Sequence, residues 1–84
     1  MPVISRFYGI TIKMYLRQKE HNPHHLHAVY GENVGLFDIQ TGEMFEGDIS
    51  VKQRQMVEAF IQENREHLLE MWESQKYELI PWAS

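Results

Sequence analysis

Ile10, Ile12, Met14 and Leu16 alternate with Thr11, Lys13, Tyr15 and Arg17, and no other run limits the fold of this 84-residue chain so strongly. A period of two places the four apolar side chains on one face of an extended strand and the cations and phenol on the other. Such a strand needs hydrogen-bonding neighbours and a layer over its apolar face. The neighbours are legible on either side. Residues 3–8 read as a partner strand, turned at Tyr8-Gly9, where glycine supplies a positive φ. Residues 18–23 are a polar connection with a turn at Asn22-Pro23. A third strand is predicted at about 25–30, a fourth at about 34–39 and a fifth at about 43–46. Gln40-Thr41-Gly42 forms the short hairpin turn between the last two, and Gly47-Asp48 ends the sheet.

The covering layer comes next. After Gly47 the apolar period changes from two to that of a helix: Val57, Phe60, Ile61, Leu68, Met71 and Trp72 form one stripe, with Glu58, Glu63, Glu66, Glu70 and Glu73 mostly off it. Ser50 and Gln53 are spaced for a capping box. A helix over about residues 51–75 would be about 37 Å long. Strands of six to eight residues reach only about 20–27 Å, so a straight helix would overhang the sheet and leave Met71 and Trp72 to be covered by the tail at 77–84 or by a second chain. The expected fold is therefore α+β: an antiparallel sheet of four or five strands over about residues 3–46, with one long C-terminal amphipathic helix packed across it. Residues 1–84 form a single domain in this reading, and a homodimer would supplement its small core.

Charge is divided along the chain. Residues 1–31 carry Arg6, Lys13, Arg17 and Lys19 against Glu20, a balance of +3 with four of the five histidines; residues 32–84 balance at −7, and the whole at −4. The molecule as a whole is a poor non-specific polyanion binder, yet its first third can present a local positive patch and its acidic half can attract a basic partner. With no cysteine, disulfides and thiolate metal sites are excluded. There is no signal-peptide pattern and no apolar run of membrane-spanning length, so cytoplasmic residence and no membrane association are expected. A Gly-rich phosphate loop and a nucleophile elbow are also missing, which demotes NTPase and triad hydrolase chemistry.

Several blocks are distinctive together: Met1-Pro2-Val3-Ile4-Ser5-Arg6-Phe7-Tyr8-Gly9-Ile10, then His21-Asn22-Pro23-His24-His25-Leu26-His27-Ala28-Val29-Tyr30-Gly31, then Phe37-Asp38-Ile39-Gln40-Thr41-Gly42-Glu43, Trp72 and Ile80-Pro81. In these the chain resembles, nearly end to end, a small bacterial family of unknown function with a His-x-Pro-Pro-His-Phe-His-type motif. His24 stands where that motif has its second proline, and Leu26 where it has phenylalanine. The resemblance implies a bacterial, toxin–antitoxin-like operon setting, with a small cognate protein encoded nearby as partner.

The histidines are the candidate site. His25 and His27, two apart on a predicted strand, emerge on one face, and His21 and His24 lie in the connection just before them. Three readings stay open. In the first, His21, His25, His27 and Glu32 ligate a divalent transition metal such as zinc. His25-x-His27 followed by Glu32 is similar to half of a cupin metal motif, although Lys19 occupies the place of its upstream glycine and the second half is missing. In the second, no cofactor is needed: His25 and His27 act as base and acid on RNA, assisted by His24, with Lys13 or Arg17 facing the charge that develops on phosphorus. In the third, the imidazoles are structural and the module only binds a partner, through an edge strand or the end of the helix. The combined expectation is a partner-binding component of a toxin–antitoxin-like pair with RNA-directed, ribonuclease-like activity; the alternative is a His-x-His metal-binding domain.

Overall fold

The structure, a computed structural model, describes residues 3–14, 24–76 and 78–80. Five strands, β1 (Val3–Phe7), β2 (Ile10–Lys13), β3 (His25–Tyr30), β4 (Asn33–Asp38) and β5 (Met44–Gly47), precede one helix, α1 (Val51–Ser74). The fold is α+β, and the sheet is an antiparallel meander whose spatial order follows the chain, β1-β2-β3-β4-β5.

Local chemistry explains the turns. Tyr8 and Gly9 both have positive φ (47° and 79°), which suits the two-residue hairpin turn between β1 and β2 because its twist matches that of the strands. The β4–β5 turn is closed by Asp38, whose carboxylate accepts the Gln40 and Thr41 amides at 2.7 and 3.2 Å. Gly47 ends β5 at φ 122°, where a Cβ would lie 2.3 Å from the Val34 carbonyl oxygen. No other residue fits there without moving the backbone.

Alternation sets the two faces. Ile10, Ile12, Leu26, Ala28, Phe37 and Ile39 are fully buried under the helix, in one core with Ile4, Phe7, Met14 and Ile49. The buried residues of α1 are Val57, Phe60, Ile61, Leu68, Met71 and Trp72, the six of the predicted stripe. Phe7 meets Phe60 with ring centroids 5.1 Å apart.

The helix departs from expectation in two ways. Ser50 occupies the N-cap position, but its hydroxyl bonds the Gln53 side-chain carbonyl and makes no bond to the helix backbone, so the capping box is not formed. The helix is also not straight. Asn64 has non-helical angles (φ −120°, ψ 15°), and its side-chain amide donates to the Phe60 carbonyl at 2.9 Å. A side chain entering the ladder in this way bends a helix. A straight helix of this length would span about 36 Å, against 31 Å for the longest dimension of the molecule; the bend replaces the predicted overhang. Gln75 then stops the helix in the left-handed region (φ 58°), its amide bonded to the Met71 carbonyl at 2.9 Å.

The described tail residues, 78–80, fold back onto the helix and β1. Glu78 pairs with His67 on the helix, and Ile80 docks on β1: its amide donates to the Ile4 carbonyl at 2.7 Å, and its own carbonyl accepts from the buried Ser5 hydroxyl at 2.7 Å. One edge of the sheet is thus closed by the chain's own tail. The other edge is β5, whose Phe45, Glu46 and Gly47 are exposed.

Candidate functional site

Leu26 and Ala28 point into the core, so their neighbours His25 and His27 point to the opposite, outer face of the sheet. Both are partly buried, and their ring centroids lie 5.3 Å apart. The strand register completes the surroundings. One row across the outer face runs Lys13, His27, Leu36, Glu46, and the next runs Arg6, Thr11, Val29, Val34. A register shift between Leu36 and Phe37 bulges β5 at Phe45, and this ring meets His25 edge-on at 6.1 Å. Cations therefore lie on the β1–β2 side of the histidines, and an aromatic side chain on the β5 side.

His27 is held neutral. Burial above all, then the positive charges of His25 and Lys13, push its pKa down to about 4. Its Nδ1 is shielded from solvent. At neutral pH this imidazole is uncharged, with Lys13 directly across the strand pair.

His24 precedes the strand and is not bound to its alternation. It stacks on Trp72 with centroids 5.1 Å apart, and its Nε2 donates to the Glu73 carboxylate at 2.9 Å. Trp72 also touches His25 at 5.2 Å. The last turns of α1 thus brace the start of β3, and the kink at Asn64 aims them there.

The structure brings together His24, His25, His27 and Lys13. Glu32 is not among them: it sits in the β3–β4 turn beyond the Tyr30–Asn33 pair, more than about 10 Å along the strand from His27. Among the described residues no group of three or more His, Asp and Glu is placed to hold a metal ion. Arg17 and His21 lie outside the described residues, as do Tyr15, Asn22-Pro23 and Trp82. Sequence reasoning missed Glu73, Phe45 and the part played by Trp72. Only the need to cover an overhanging tryptophan hinted at the last.

Residues 9–73 match the family described as Domain of unknown function (DUF4160). The chain belongs to this family. The matched stretch takes in β2 to β5, the four described site residues and nearly all of α1, and leaves out β1 and the docked tail. No curated protein and no solved structure matches the chain. No helix among the described residues is long and apolar enough to cross a membrane.

Proposed function

We propose that this family member is an RNA-directed acid–base module working beside a small cognate protein in a toxin–antitoxin-like pair. The observation that carries the reading is the close pair His25 and His27 on the outer face, with Lys13 directly across from His27. His27 accepts the proton of a ribose 2′-hydroxyl as that oxygen attacks the adjacent phosphorus. His25 protonates the departing 5′-oxygen, leaving a cyclic phosphate, and Lys13 faces the negative charge gathering on the phosphoryl oxygens. An imidazole with a pKa near 4 is a weak base at neutral pH. Burial sets the larger part of that depression; a bound phosphate offsets the smaller part due to the neighbouring charges and so moves His27 toward the range where proton transfer is efficient. His24, braced by Trp72 and Glu73, keeps His25 in place. Arg17 remains a proposed second cation. The paired setting rests on the His21–Gly31 motif resemblance.

The test is turnover of a labelled RNA in the presence of a chelator. Loss of either imidazole, as His25→Ala or His27→Ala with the circular dichroism spectrum unchanged, should cost about 10²–10⁴-fold. Undiminished cleavage by both variants would discard the mechanism.

One observation favours a second reading. Two imidazoles sharing a tetrahedral ion at about 2.0–2.1 Å bring their ring centroids to about 5 Å, close to the separation of His25 and His27, and a neutral His27 is the ligating form. A zinc site at this pair would draw its further ligands from His21 or solvent. Elemental analysis of tag-free protein, with zinc and nickel titrations of the two alanine variants, decides it: metal bound by the wild type and lost from both variants supports the site.

A further inference from the structure

The RNA-directed reading leaves the form of the substrate open, and the outer face of the sheet addresses it. Phe45 is 47% exposed in spite of its size. The bulge in β5 turns it to the same side as His25, whose ring stands perpendicular to it with centroids 6.1 Å apart. The exposed Arg6 and the cross-strand partner of His27, Lys13, hold the opposite side of the same face. From β2 to β5 is three strand spacings, about 14 Å, longer than a single nucleotide needs. Positive charge thus lies on one flank of the histidines and an aromatic surface on the other. Glu46 ends the row on β5, which sets the polarity: phosphates belong over β1 and β2, a base over β5.

We infer that the outer face binds single-stranded RNA, with a base stacked on Phe45 and the neighbouring phosphates on Lys13 and Arg6, so that the linkage between them lies over His25 and His27. This deepens the reading above and rests on it. A duplex does not fit the arrangement, because its bases are already stacked and its edges lie inside the grooves. An unpaired strand offers its bases to an exposed ring.

The experiment is fluorescence anisotropy with a labelled eight-nucleotide RNA, single-stranded and annealed to its complement, at several salt concentrations. Phe45→Ala should weaken single-strand binding by roughly 5- to 100-fold, and Phe45→Trp should retain it. Arg6→Gln should reduce the slope of log affinity against log salt by about 0.7, one single-strand phosphate contact. Because Phe45 is on the surface, both variants should keep the wild-type melting profile. Equal binding of duplex and single strand, or full affinity in Phe45→Ala, overturns the stacking platform and leaves the histidine chemistry standing. Failure of the wild type to bind either RNA overturns the platform and the RNA-directed reading together.

Discussion

His27 is the residue on which the acidity of the medium acts most directly. Unfolded, its imidazole takes a proton near pH 6.5; folded, it resists until about pH 4. Between those values the unfolded chain binds more protons than the native one, so stability falls as pH drops from 6.5 to 4 and is unaffected by this group above 6.5. Urea midpoints measured from pH 4 to 7.5 should show that slope in the wild type and a flatter one in His27→Asn. The same ring reports on ligands. Inorganic phosphate at the Lys13 side should raise the His27 titration midpoint in a two-dimensional NMR series, and an unmoved midpoint would argue against an anion site. Glu73 works differently, by holding the His24 ring from the helix. Nothing about an exposed glutamate near a helix end distinguishes it in the sequence from Glu66 or Glu70; its role depends on where the bent helix points.

Among the elements, the strands were the readable part, because alternation is local: Ile10, Ile12, Leu26, Ala28, Phe37 and Ile39 each reveal their face within a few residues. The helical stripe was readable for the same reason. The bend at Asn64 was not. Asparagine is a weak helix former but does occur inside helices, and whether its amide turns back to bond the Phe60 carbonyl depends on what the two halves must cover. Since the bend aims Trp72, the contact of the indole with His24 and His25 was equally out of reach, although the His25–His27 pairing itself follows from spacing alone. Asn64→Leu should lower stability by about 1 kcal/mol through loss of the amide bond, read from denaturant unfolding. Trp72→Ala should cost about 3–5 kcal/mol and, in any surviving folded fraction, broaden the NMR signals of both histidine rings. Sharp, unshifted ring signals in that variant would mean that the indole does not brace the site.

For the whole molecule, charge and edges are both lopsided. Five glutamates lie on the helix, while Arg6 and Lys13 lie at the β1–β2 side of the sheet, so a net charge of −4 coexists with a positive region at the proposed site. Among the described residues, Ile80 covers one edge of the sheet at Ile4 and Ser5, and no strand pairs with the other edge. Ile80→Ala should cost about 2 kcal/mol. A chain shortened after residue 76 should expose the β1 edge and associate in a concentration-dependent way, measurable by sedimentation velocity. A shortened chain that stays monomeric and as stable as the parent would show that the tail does not guard that edge.

The clasp between Ile4 and Ile80 also bears on how the protein is made. Each strand of the meander finds its partner among residues already synthesised, so a partial sheet is available once β5 has left the ribosome. The seam along β1 must wait for residue 80. A nascent chain therefore spends the interval while the helix is being translated with its first strand unprotected, and a chaperone or cognate protein waiting there would meet the bare strand before the chain's own tail does.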